Sequence, residues 1–125
     1  MPTILLIEDE AAVKMITSTT LRKKGFEVVE AASAMEGLQL SRICNADLII
    51  SDVHMPQMNG FALLEAVRAK PATASTPVIL LTGNPDQEGW QRAKELGASE
   101  YLAKPISAAD LIRAINSHIR KQQVA

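Results

Sequence analysis

Aromatic residues make up only 3% of this 125-residue sequence, while hydrophobic residues make up 47%. The core must therefore be built from Leu, Ile, Val, Ala and Met rather than from stacked rings. Cysteine occurs once, at Cys44, which excludes an internal disulfide and fits a reducing compartment. That residue falls late in a helical pattern and reads as a small buried hydrophobe. No apolar run is long enough to span a membrane. Ile4 to Ile7, the longest run near the start, is too short for a signal peptide and has no basic lead-in. An excess of one charge is missing too: the formal net charge is −1, which gives no electrostatic case for nucleic acid or an anionic membrane. The cytoplasm is the expected location. Repeats, linkers and low-complexity stretches are absent, and 1–125 reads as one domain with enough chain to bury a core.

What the sequence does have is a regular alternation of strand and helix signals. Thr3 to Ile7 is an apolar strand ending in Glu8, Asp9 and Glu10. Ala11 to Lys24 reads as a helix, with Arg22, Lys23 and Lys24 at its end and Gly25 as its stop. Glu27 to Ala31 is a second, more polar strand. Ser33 and Glu36 form a capping box that opens a helix running to about Cys44. The run Leu48 to Ile50 has the pattern of a strand buried on both faces, and it stops at Asp52. A third helix is expected from Met58 to about Ala69, with Phe61, Leu64 and Val67 on one face.

After a loop from Lys70 to Thr76, Pro77 to Thr82 is a fourth strand. Asn84 as N-cap and Pro85 in the first helical position open a fourth helix, which Gly97 closes. Ser99 to Ala103 is a fifth strand, leading to Lys104 and Pro105. Ser107 caps the last helix, where Ala108, Leu111, Ile112, Ile115 and Ile119 keep helical spacing. Lys121 to Ala125 reads as a short polar tail. His118 is expected to face solvent, and Trp90 suits either core packing or a partner anchor.

Five strand–helix units imply a parallel sheet with helices on both faces. Strands one, three and four are apolar throughout, as central strands should be, while two and five interleave polar residues. That pattern fits a flavodoxin-like (βα)5 order, 2-1-3-4-5, with the crevice between strands one and three at their carboxyl ends. Glu8 and Asp9 then lie beside Asp52, with Thr82 and Lys104 on the same rim.

Three carboxylates in one crevice repel. At roughly 5 Å and an effective dielectric of about 20, each ionised pair costs about 3 kcal/mol. Either one keeps a proton or a cation sits among them. Hard oxygen donors suit Mg²⁺, which readily shares its sphere with a phosphate. Lys104 and Thr82 could neutralise and hydrogen-bond phosphoryl oxygens, leaving one carboxylate free to act as nucleophile.

The segment DVHMPQMNG (52–60) resembles the acceptor-aspartate stretch of response-regulator receiver domains of two-component signalling. LLIEDE (5–10), LLTG (80–83) and GASEYLAKP (97–105) resemble that family's other signatures in order and spacing. The resemblance implies that Asp52 accepts a phosphoryl group from a histidine kinase or phosphotransfer protein. It implies that Glu8, Asp9 and Asp52 hold Mg²⁺ together with the backbone carbonyl of His54. Glu at the first acidic position is a common variant, whose longer reach favours a contact through water. Lys104 is similar to the phosphoryl-binding lysine, aimed by a cis bond to Pro105. Thr82 and Tyr101 resemble the pair that couples the site to the surface, the ring turning inward behind the hydroxyl. His54 and Asn84 occupy positions whose side chains tune phosphoryl lifetime.

A stand-alone receiver is expected, with no room after residue 121 for a DNA-binding or enzymatic output domain unless the chain was cut from something longer. Output is therefore expected through protein contacts on helix four, strand five and helix five, from a monomer or a weak phosphorylation-dependent dimer. The residues also admit plainer roles. Glu8 and Asp9 could cap the first helix, Lys104 could snorkel, Thr82 could be an ordinary strand residue, and Tyr101 could be an edge aromatic with its hydroxyl in water. A receiver that is never phosphorylated is one rival reading. A flavin binder is another, but it would want a Gly/Ser/Thr phosphate loop where Glu8, Asp9 and Glu10 stand.

Overall fold

β3 (Leu48–Asp52) and β4 (Val78–Thr82) are buried at every position, as strands covered on both faces must be. The computed structural model describes residues 1–123, with side chains described as far as Ile119. In it β1 (Thr3–Ile7) lies between β2 (Glu27–Ala31) and β3, while β4 joins β3 to β5 (Glu100–Ala103). All pairings are parallel, in the order β2-β1-β3-β4-β5. This is the flavodoxin-like arrangement, and the two more polar strands are its edges.

Alternation along β1 feeds two cores. Leu5 and Ile7 join Ile49, Leu63, Leu64 and Leu80 on one face. Ile4 and Leu6 join Ile50, Leu21, Leu111 and Ile115 on the other. Helices α2 (Ala34–Ser41), α3 (Gly60–Ala69) and α4 (Gln87–Leu96) therefore cover the first face. Helices α1 (Ala11–Lys23) and α5 (Ala108–Gln123) cover the second.

Several element ends differ from the sequence expectation. Ser33 caps α2, its Oγ accepting from Glu36 N at 3.1 Å. Glu36 Oε1 reaches back to accept from Ala32 N at 2.7 Å, one residue before the Ser33 N of a strict capping box. That helix nevertheless stops at Ser41, because the chain reverses through Asn45 at a positive φ of 48°. Cys44 thus lies beyond the helix, half-buried against the core. α3 begins at Gly60 rather than Met58, since Asn59 Oδ1 caps it by accepting from Ala62 N at 2.9 Å.

In α4 the cap is Asp86, whose Oδ1 accepts from Gly89 N at 2.6 Å. With the cap at Asp86, the helix starts at Gln87, so Asn84 is not the cap and Pro85 precedes the helix instead of opening it. The Asn84 backbone N donates to Thr82 Oγ1 at 3.1 Å. Gly97 does end α4, in the left-handed region at φ 90°. α5 continues to Gln123, so Lys121 to Gln123 are helix and not tail. Lys and Gln are good helix formers, and nothing there breaks the turn. Val124 and Ala125 lie outside the described residues. His118 does not face solvent: its side chain is 14% exposed, with Nε2 3.6 Å from Glu100 Oε2.

Candidate functional site

Strand register builds the site as a staircase. Ile7 pairs with Ser51, Asp52 with Leu81, and Thr82 with Ala103. Glu8, Asp52, Thr82 and Lys104 consequently emerge one after another along the carboxyl rim of the sheet. Lys104 N donates to Thr82 O at 2.8 Å, which extends the ladder past β5, and the Lys104–Pro105 peptide is cis.

Glu8, Asp9 and Asp52 each bring a carboxylate oxygen within 4.8 Å of the others. Glu8 and Asp52 are buried, at 3% and 5% exposure, whereas Asp9 is exposed. Lys104 Nζ bridges the two buried acids, donating to Asp52 Oδ1 at 2.7 Å and to Glu8 Oε1 at 3.2 Å. Burial pushes the Glu8 carboxyl above its ordinary range, and neighbouring Asp52 pushes it further. Lys104 is pulled down by burial, but its contacts with Asp52 and then Glu8 outweigh this and leave its pKa raised. One ammonium therefore offsets part of the repulsion among three acids. α1 begins after Glu10, whose own side chain does not cap it. Glu8 Oε2 accepts from Glu10 N at 3.1 Å, so one oxygen of Glu8 steadies the helix entry and the other meets Lys104.

The loop between β3 and α3 wraps closely around Asp52. Gln57 takes a positive φ of 71°, and Gly60 N donates to Val53 O at 2.8 Å. A Cβ on Gly60 would overlap the carbonyl oxygen of Asp52 and lie 3.0 Å from Val53 Cα. Only glycine lets α3 begin this near the acid. His54 and Asn84 stand exposed beside the rim. Thr82 is 1% exposed, and its hydroxyl oxygen is engaged by Asn84 N.

Tyr101 stands apart from the acids. It opposes Leu80 on β4, two residues before Thr82, and its half-buried ring stacks on Phe61 with centroids 6.2 Å apart. Arg92 Cζ lies 4.7 Å from the centroid of the Phe61 ring. Trp90 is 49% exposed, with Lys94 Nζ 5.3 Å from its ring centre. The sequence reading missed Phe61 as the partner of Tyr101, and it gave Gly60 no role beyond its place at the end of the 52–60 segment. A glycine at a helix start next to a candidate acid was the available signal.

The family model of the response regulator receiver domain matches residues 4–116. The chain belongs to the receiver family. Among solved structures, this receiver is similar to a response regulator receiver domain protein from Clostridium thermocellum. That pair shares 36% identity and a TM-score of 0.92, covering 99% of this chain and 98% of the other. It is also similar to the chemotaxis protein CheY4 of Vibrio cholerae, at 34% identity and TM-score 0.90, covering 94% and 98%. A probable chemotaxis protein CheY of Rhizobium etli is 33% identical, over 91% of this chain and 89% of that one. The transcriptional regulatory protein PdtaR of Mycobacterium tuberculosis is 36% identical over 90% of this chain. The receiver spans only 54% of PdtaR, and about half the length of other curated relatives. The protein is thus a receiver of two-component signalling, with an acidic cluster fit for a metal. No helix among the described residues is long and apolar enough to cross a membrane.

Proposed function

We propose that this receiver takes a phosphoryl group onto Asp52 from the phosphohistidine of a histidine kinase or phosphotransfer protein. One observation carries the reading: Asp52, Glu8 and Asp9 converge within 4.8 Å, with Lys104 Nζ 2.7 Å from Asp52. In the transfer, an Asp52 oxygen bonds to phosphorus as the phosphorus–nitrogen bond breaks, and the imidazole leaves with the electron pair.

The donor set fits Mg²⁺, since all the available groups are hard oxygens carrying excess negative charge. Glu8, Asp9, Asp52 and the carbonyl of His54 are its proposed holders, and when bound it supplies charge neutralisation for the incoming phosphoryl oxygens. Lys104 keeps its ammonium charged beside the acceptor and would follow a phosphoryl oxygen. Thr82 can turn its hydroxyl from Asn84 N toward the same group. His54 and Asn84, exposed on the rim, would govern the access of hydrolytic water and so the lifetime.

Output follows from a bias between two states of α4, β5 and α5, with Tyr101 as the link. Met15 and Ile16 are exposed on α1, and Ile16 lines a groove with Asp52 and Lys104, which offers a donor protein an apolar foothold. The proposed setting is the cytoplasm, with a downstream protein as target and neither nucleic acid nor membrane as ligand. The proposed state is a monomer, or a weak dimer formed on phosphorylation.

Incubation with Mg²⁺ and acetyl phosphate should add one phosphoryl group by intact mass. Asp52→Asn should add none. Equal gain by both proteins, or no gain by the wild type, contradicts the acceptor role.

A further inference from the structure

Gly89 is the third residue of α4, inside a helix where alanine would be the more stable choice. Its backbone conformation does not require glycine, since its φ lies outside the positive range. Its surroundings do. A Cβ at this position would overlap the hydroxyl oxygen of Tyr101 and stand 3.2 Å from Tyr101 Cζ and 2.9 Å from Asp86 Oδ1. The missing side chain is therefore filled by the phenol of another element. On its far side the same ring rests on Phe61 of α3.

We infer that Gly89 is a positioning residue for Tyr101: its bare backbone is the seat that lets the ring lie inward between α4 and Phe61. Any side chain at position 89 forces the phenol out of that seat, toward the cleft lined by Trp90, Lys94 and Glu100. The seat itself stands on geometry alone. Its consequence for signalling rests on the reading of Tyr101 as the link between the acid site and the surface. On that reading, Gly89→Ala separates phosphorylation from output without touching Asp52. The identity of residue 89 would then set how firmly α4 answers to the site.

Tyr101 is the sole tyrosine of the chain, so ring-labelled tyrosine gives a single set of NMR signals. In the wild type its ring protons should show contacts to the Phe61 ring and to the Gly89 α-protons. In Gly89→Ala those Phe61 contacts should vanish, and Tm should fall by about 4 °C or more. Asp86 is also near the added methyl, so the decisive control is Tyr101→Ala. In that background Gly89→Ala should lose most of its destabilising effect. If Gly89→Ala alone fails to fold, rescue by Tyr101→Ala supports the seat equally. Unchanged ring contacts, or the same loss in both backgrounds, would overturn it. Intact mass after acetyl phosphate treatment reports on Asp52 separately, so failure there leaves the ring contacts to be read on their own.

Discussion

Lys104 is the residue on which the resting site balances. It is the ammonium that touches both buried acids, and its own side chain is 24% exposed. Removing one partner of a buried ion pair leaves the other charge uncompensated, a loss of several kcal/mol when fully enclosed. Discounting for that exposure, Lys104→Met should cost about 2 kcal/mol in the absence of divalent ions. Saturating Mg²⁺ should then restore more stability to this variant than it adds to the wild type, because a cation replaces a cation. Thermal melts with and without Mg²⁺ check this, and equal gains by the two proteins contradict it.

Glu8 makes a pH prediction. Its pKa is raised in the fold, so without a cation its contribution to stability is fully present below its ordinary 4.5. That contribution is lost as pH climbs through the raised value. Mg²⁺ must displace the same proton, so its apparent affinity should increase with pH across that window and then level off. Calorimetric titrations at several pH values should show the rise, and Glu8→Gln should flatten it. A wild-type affinity independent of pH would count against Glu8 as a holder of the ion.

At the scale of elements, α3 and α4 are held by their buried apolar residues, and glycines let each come into close contact with a neighbouring element. Gly60→Ala places a methyl against the Asp52 carbonyl, where rigid backbone must give way. Overpacking of this kind costs about 1–3 kcal/mol. Denaturant unfolding should show that loss, together with slower phosphoryl uptake as Asp52 is displaced. An unchanged midpoint would mean that α3 can shift freely.

Strand identities were legible because burial on both faces leaves an unbroken apolar run, as in Ile4 to Ile7 and Leu48 to Ile50. Helix starts were less so. Asn84 and Asp86 are both good caps two residues apart, and the packed structure decides for Asp86, whose Oδ1 accepts from Gly89 N. The end of α5 was misplaced because charged and amide residues read as tail, although they favour helix. His118 shows the same limit: helical spacing does not reveal that Glu100 waits across on β5.

For the whole molecule, the order β2-β1-β3-β4-β5 is what turns scattered residues into a site. Glu8 and Lys104 are 96 residues apart in the chain yet share a hydrogen bond. That meeting was readable in advance because edge strands carry polar residues and central ones do not. The acids and the lysine follow from strand ends and register. The Tyr101 seat does not, since it depends on the absence of an atom at Gly89 and on a ring from a third element, α3. Apolar patterning specifies which faces are covered, whereas such close approaches emerge only once the elements are packed.

The most direct test of the account is where the phosphoryl group lands. Protein treated with Mg²⁺ and acetyl phosphate, then reduced with borohydride to convert an acyl phosphate into an alcohol, should carry the change at residue 52 and nowhere else. Omission of Mg²⁺ should abolish it. Modification at Glu8 or Asp9, or a phosphoryl group held on His54 or His118 instead, would contradict the central claim.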